Sequence, residues 1–360
     1  MKKLIALLLA VLMLLTLAAC GGGTETAAPA ESGSTASSAS SGAKLRFVTG
    51  GESGTYYAFG SVIAQHATNN AGVNVVGLVG NGSQANVMEL QDGNAELAFC
   101  QSDVMAYAYD GTNLFAESGK VDTFSTVAAL YMEQVQIVTL DPGIKSVADL
   151  AGKTVSVGDA GSGVFYNAVD ILGAYGLDVE KDINPVYESF GTSADSLQDG
   201  KIDAAFVVAG APTTAITSLA ATKDVYLVSL DDEHIDQLLA SSPYYSKYVI
   251  PADTYGMPED ATTVAVGAVI IANDSVSEDD IYNVVSAIFE NIDTITTSHA
   301  KGAELSLDFA ASVTSVPYHA GAAKYFAEKG FEVASVKEGA GETDSRNLRF
   351  VTGGESGTYY

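Results

Sequence analysis

The 360-residue chain has no tryptophan and only two cysteines, Cys20 and Cys100. One precedes the body and the other lies in an apolar strand segment, which excludes an internal disulfide framework and makes Cys100 inert packing. Arginine is almost missing: the chain holds Arg46, Arg346 and Arg349, the last two in the tail. A two-pronged guanidinium clamp on a carboxylate therefore has one candidate, Arg46, and it sits inside the first strand. Positive charge is scarce altogether, 17 basic against 44 acidic residues, a net −27. Such a surface repels nucleic acid and anionic membrane, and excludes both as partners. The four histidines, His66, His234, His299 and His319, are scattered without metal-ligand spacing and read as surface or structural residues. No nucleophile–base–orienter set and no paired carboxylates stand in the loops, so neither catalysis nor a metal or cofactor is expected.

What is present begins with a leader. Lys2-Lys3, an apolar run from Leu4 to Leu17 and small residues at Ala18 and Ala19 make a secretory signal over 1–19. The run is too short for an ordinary spanning helix, and no later run is long enough to cross a bilayer. Leu17-Ala18-Ala19-Cys20 resembles a bacterial lipobox, in which Cys20 is lipidated and becomes the mature N-terminus; an ordinary signal peptide with an incidental cysteine is the alternative. From 20 to 43 the chain is rich in Gly, Ser, Ala and Thr, a tether that cannot build a core. A lipid-anchored, extracytoplasmic domain is expected.

The body contains a diverged internal repeat. Gly51-Glu52-Ser53-Gly54-Thr55 has its counterpart 107 positions on in Gly158-Asp159-Ala160-Gly161-Ser162. At the same offset Leu90-Gln91-Asp92-Gly93 recurs as Leu197-Gln198-Asp199-Gly200, and Glu96, Ala98 and Phe99 recur as Asp203, Ala205 and Phe206. A constant offset at separated places means two similarly built units. Periodicity gives the first unit strands at 45–48, 73–79 and 97–100 and helices at 56–67 and 83–90, with Ser83 as N-cap. The second has strands at 154–157, 186–189 and 204–208 and helices at 162–175 and 193–197. Alternation of this kind predicts an α/β chain with mostly parallel sheets. The apolar stretches 135–140 and 264–271 read as connections between two lobes, with helices at 278–291 and 321–329 completing the first. Lobe 1 is then 44–138 plus 263–340, and lobe 2 is 139–262.

Ligands of open α/β sheets sit beyond the carboxyl ends of the strands, where backbone N–H groups at helix starts are unpaired and suit an anion. Glycines at 50, 51, 54, 158, 161 and 163 allow close approach, and Ser53, Thr55 and Ser162 add hydroxyls. The expected site is Gly51, Ser53, Gly54, Thr55, Tyr56, Asn81, Gln101, Asp103, Ala160, Gly161, Ser162 and Gly163. Each has a plainer reading: the glycines as tight turns, Tyr56 as core, Asp103 as a helix cap, Asn81 as part of a helix entry. As a dinucleotide fingerprint Gly158-x-x-Gly161 has the wrong spacing, and no Walker lysine follows either loop.

Phe47-Val48-Thr49-Gly50-Gly51-Glu52-Ser53-Gly54-Thr55-Tyr56-Tyr57, Gln101-Ser102-Asp103-Val104, Ser156 to Gly163, Ile250 to Tyr255 and Glu290-Asn291 together resemble the TAXI family, over about 44–333. These are solute receptors of tripartite ATP-independent periplasmic (TRAP) transporters. The resemblance implies a two-lobed type II periplasmic-binding-protein fold with a central ligand cleft. It further implies a monomeric receptor, closing on a small carboxylate (glutamate-like or 2-oxoglutarate-like) and delivering it to TRAP permease subunits in the membrane. A substrate-binding lipoprotein of an ABC importer is the alternative. Two departures stand out: the family's His-Pro-Gly reads His319-Ala320-Gly321, and the lipobox replaces a cleaved signal, pointing towards a Gram-positive surface. The tail 341–360 is read as loose, and Leu348 to Tyr360 repeats Leu45 to Tyr57 without change, a recent or artificial copy.

Overall fold

A computed structural model describes Gly42 and residues 44–335. The expectations for the leader, for Cys20 and the rest of its tether, and for the duplicated tail lie outside the described residues. The first unit runs β1 (Lys44–Val48), α1 (Thr55–Asn70), β2 (Asn74–Leu78), α2 (Ser83–Gln91), β3 (Leu97–Gln101), α3 (Ser102–Asp110) and β4 (Phe124–Thr139). The second runs β5 (Thr154–Ser156), α4 (Val164–Ala174), β6 (Asn184–Val186), α5 (Phe190–Gln198), β7 (Ala204–Ala209) and α6 (Thr214–Ala220). Then follow β8 (Tyr226–Leu227), α7 (Asp232–Ser241), β9 (Ser246–Ile250) and β10 (Ala261–Asn273), and finally α8 (Glu278–Phe289), α9 (Ile292–Ser298), α10 (Leu307–Ala310) and α11 (Ala320–Glu328).

The repeat in sequence is a repeat in pairing. β1 lies parallel between β2 and β3, with Phe47 opposite Leu97 and Val48 opposite Ala98. β5 lies parallel between β6 and β7, with Val155 opposite Ala204 and Ser156 opposite Ala205. The repeated acids do the same work: Glu96 accepts from the Arg46 N–H at 2.6 Å and Asp203 from the Thr154 N–H at 2.8 Å. Each anchors the strand its carboxylate faces. The repeated glycines after α2 and α5, Gly93 and Gly200, share a φ of +69°, the left-handed turn that glycine adopts without steric cost.

Two long strands tie the units into two lobes. Among the described residues the sheet order is β2-β1-β3-β10-β4-β7-β5-β6, with β8 on β4 and β9 on β10. β4 is 16 residues long and buried almost throughout, about 50 Å at 3.3 Å per residue. Its neighbours change along its length: it pairs with β10 up to Gln134, and from Gln134 to Thr139 with β7. β10 meets β3 over Ala268–Ala272 and β9 over Ala261–Ala265. Both strands therefore pass from one lobe to the other near Gln134 and Ala265. Neither lobe shares its core with the other: Phe47, Phe59, Phe99, Tyr131 and Phe326 cluster in the first, Ile137, Leu150, Ile171, Phe206 and Ile235 in the second. Each fully buried side chain of this size contributes about 1.5–3 kcal/mol.

Several boundaries differ from expectation. β6 ends at Val186, because Ser189 is the N-cap of α5 and accepts from the Thr192 N–H at 3.3 Å. Gly82, at φ +99°, caps α2 in place of Ser83, whose hydroxyl is turned to β3 and bonds Gln101. The His319-Ala320-Gly321 turn is structural. His319 caps α11, and a Cβ on Gly321 would stand 2.1 Å from the Glu278 carbonyl oxygen, so glycine sets how closely α11 packs on α8.

Candidate functional site

The strand ends of both lobes open onto one cavity of about 670 Å³, counted to its mouth. Five helices point their N-termini at it, and the N-cap residues Gly54 (α1), Gly82 (α2), Gln101 (α3), Gly163 (α4) and Ser189 (α5) all line it. For the first four no N-cap side chain bonds the first turn. Helix starts leave N–H groups without intrahelical partners and carry the positive end of the helix dipole. The wall between them is made by Gly50, Gly51, Gly80, Asn81, Val208 and Ala209, backbone-rich and partly apolar.

Glycine is required at Gly163, where a Cβ would lie 1.5 Å from the Gln101 side-chain oxygen. It is required too at Gly82, whose positive φ and approach to Ser162 on the facing lobe leave no room for a side chain.

Of the residues expected from sequence, Gly51, Ser53, Gly54, Thr55, Tyr56, Asn81, Gln101, Ser162 and Gly163 line this cavity. Asp103, Ala160 and Gly161 do not. Asp103 is buried on α3, where it accepts from Asn167 Nδ2 at 3.0 Å and from the Val104 N–H; burial lifts its carboxyl to about 6. Ala160 is exposed, and Gly161 turns its carbonyl to the Ala85 N–H of α2 at 2.9 Å. That bond joins the two lobes. So do Thr55 Oγ1 to the Gly210 carbonyl at 2.8 Å, the Ala215 N–H to the Ser53 carbonyl at 3.1 Å, and Gln101 Nε2 to Asn167 Oδ1 at 2.8 Å. Thr55 was expected as a ligand donor, but its hydroxyl proton is engaged in holding the lobes together. Ser162 is different: its hydroxyl is buried against the cavity with no hydrogen-bond partner among the described residues.

Tyr56 lines the cavity and is also part of the core. Its ring stacks on Phe99 with centroids 4.6 Å apart, and its hydroxyl donates to Glu133 Oε2 at 2.6 Å. Glu133 was not foreseen. It lies on β4 one residue before the strand changes partners, is 2 % exposed, and lines the cavity. Burial, the largest influence, lifts its carboxyl to about 8. The signal in the sequence was a lone acid inside the apolar run 124–139. Phe190 and Gly191 at the start of α5 also line the cavity, although the sequence places them in the connection between a strand ending at 189 and a helix starting at 193; Phe190 stands close to Gly54. Arg46 is far from it in function: Glu96 and the Gly93 carbonyl take its guanidinium. Among the described residues no lysine or arginine lines the cavity, whereas Glu52, Glu133 and Asp159 do.

The fold of this chain is similar to that of several solved proteins. The periplasmic aliphatic sulphonate binding protein SsuA from Escherichia coli is 15 % identical, over 79 % of this chain and 90 % of its own, at a TM-score of 0.43. The alkanesulfonate-binding SsuA from Xanthomonas axonopodis pv. citri, bound to MOPS, is 14 % identical over 81 % and 92 %, at 0.46. An arginine-specific periplasmic binding protein from Salmonella typhimurium is 14 % identical over 72 % and 98 %, at 0.45. The family model that describes the NMT1-like family matches residues 47–330, most of the chain, and the protein belongs to that family.

Proposed function

We propose that this protein is an extracytoplasmic, lipid-anchored solute receptor that captures a small carboxylate between its lobes and hands it to TRAP permease subunits. The observation that carries the reading is the cavity itself: five helix N-termini converge on it, four without a side-chain cap, and no basic side chain competes for an anion. An anion held there rests on backbone N–H groups and on the unpartnered Ser162 hydroxyl. Binding and release take place by closure about β4 and β10 near Gln134 and Ala265, a few residues from the boundaries 138/139 and 262/263 read from the sequence. The permease assignment is supported by the TAXI resemblance of the Gly-rich segments. Calorimetric titration of the chain with small dicarboxylates and amino acids tests the first half; no heat from any of them would remove it. Uptake into vesicles carrying the permease tests the second. Transport driven by an ion gradient supports it, and transport that needs ATP would assign the receptor to an ABC importer.

A further inference from the structure

We infer that Glu133, set in place by Tyr56, is the subsite for a protonated amine, so that the carboxylate captured here is an amino acid and not its 2-oxo analogue. The inference rests on the receptor reading above and deepens it.

Glu133 is fixed from two sides. β4 holds its backbone opposite Val266 of β10, and the Tyr56 hydroxyl holds Oε2 at 2.6 Å. Tyr56 cannot swing away without losing its stack on Phe99. Among the described residues nothing bonds the other oxygen, Oε1, and Glu133 lines the cavity. A carboxyl otherwise buried, with this second oxygen open to the cavity, is placed to meet a cation or donor held there.

Among the described residues no cation bonds it. Lys301 is the one basic group that pulls the Glu133 carboxyl down, and its ammonium is taken by Glu304. Asp103, the other charged group acting on Glu133, pushes the opposite way. Glu52 and Asp159 add further negative charge to the cavity wall. Helix N-termini on one side and a buried acid on the other form two poles, which match the carboxylate and ammonium of one zwitterion. A 2-oxo acid brings no cation to this pole and can take only the single hydrogen bond that a protonated Glu133 donates to its carbonyl oxygen, whereas an ammonium meets the charged carboxylate. When an ammonium docks, Glu133 gives up its proton to solvent, because burial alone keeps it protonated near neutral pH.

The test uses matched probes. L-Glutamate against 2-oxoglutarate, and L-leucine against 4-methyl-2-oxopentanoate, are titrated into the full chain and into Glu133→Gln, in buffers of different ionisation enthalpy. The expected result is tighter binding of an amino acid than of its oxo partner, with proton release at pH 7. In Glu133→Gln the amino acid should bind about 10–100-fold more weakly, as for a lost hydrogen bond to a charged group, and the release should vanish. Should Glu133→Gln not fold, Tyr56→Phe, which keeps the ring on Phe99, should still weaken the amino acid selectively. An oxo acid that binds as well as the amino acid, or undiminished amino-acid binding in both variants, overturns this inference and leaves the receptor reading standing. If neither class binds to the folded chain, both readings fall together.

Discussion

Replacing Asn167 by leucine, a side chain of similar reach without polar atoms, should cripple ligand binding with little loss of stability. Asn167 is fully buried on α4 and makes three hydrogen bonds. Its Nδ2 donates to Tyr245 Oη at 2.8 Å within its own lobe and to Asp103 Oδ2 at 3.0 Å across the cleft. Its Oδ1 accepts from Gln101 Nε2 of the first lobe at 2.8 Å. Two of the three thus exist only when the lobes meet. A neutral bond is worth about 1 kcal/mol and one to a carboxylate about 1.5–3, so the variant should lose roughly 3 kcal/mol of closure. If ligand binds by closing the lobes, that loss passes into affinity as a dissociation constant about a hundredfold higher. Opened lobes give Gln101 and Asp103 back to water, so the ligand-free chain should lose only about 1 kcal/mol, the worth of the Tyr245 bond. Calorimetry gives the affinity and urea unfolding the stability. A folded variant that binds as tightly as wild type would refute the latch, and a stability loss as large as the affinity loss would show that Asn167 merely supports its own lobe.

Other variants probe separate parts of the argument. Ser162→Ala should weaken carboxylate binding by about 1–2 kcal/mol, since its buried hydroxyl has no partner among the described residues; an unchanged titration would place the anion elsewhere. Arg46→Gln should leave affinity untouched, because Glu96 and the Gly93 carbonyl occupy its guanidinium; collapse of binding with the fold intact would show the anion site to be wrong. Stability should respond to pH through Glu133, whose carboxyl rises from 4.5 to about 8 on folding. A raised carboxyl holds its proton more tightly when folded, so its contribution is present at acid pH and is lost as pH climbs through 8. At about 1.4 kcal/mol per unit, wild type should lose up to several kcal/mol relative to Glu133→Gln across that window. Parallel stability curves for the two proteins would contradict it.

The fold was legible wherever a local pattern decided the outcome. Leu45 to Val48, Leu97 to Cys100 and Ala204 to Val208 are short apolar runs between turn signals, and each lies within a strand. The repeated Asp-Gly pairs mark the ends of α2 and α5 because glycine alone takes the left-handed turn cheaply. What local pattern could not show is length and continuation. The stretch 135–140 was visible as apolar, yet β4 begins at Phe124, and only pairing with β10 keeps Ser125, Thr126 and Glu133 inside a strand. Tertiary contact also displaced the cap of α2: serine is the commoner N-cap, but Ser83 has a better use on Gln101.

The candidate site divides along the same line. Gly-rich loops at matched positions mark backbone that must come close to something, and the sequence tells where such loops stand. It does not tell what they approach. Gly54, Gly82 and Gly163 border the cavity as well as standing close to Phe190, Ser162 and Gln101 on the opposite lobe, whereas Gly161, equally well marked, approaches Ala85 there without lining the cavity. Close approach to a ligand and close approach to the other half of the protein demand the same residue, so glycine alone cannot separate them. Polar side chains follow the same logic in reverse. Asp103 and Thr55 looked like donors or acceptors for a ligand, and their partners lie across the cleft, in Asn167 and Gly210. In a receptor that closes, the groups that recognise the ligand and those that hold the lobes are drawn from the same helix N-termini, and only geometry assigns each one. Glu133 lacked any such marker because it belongs to a strand, not a loop. Its place on β4 just before that strand passes between lobes gives a buried acid access to both halves, which is why the one strongly perturbed carboxyl lining the cavity stands there.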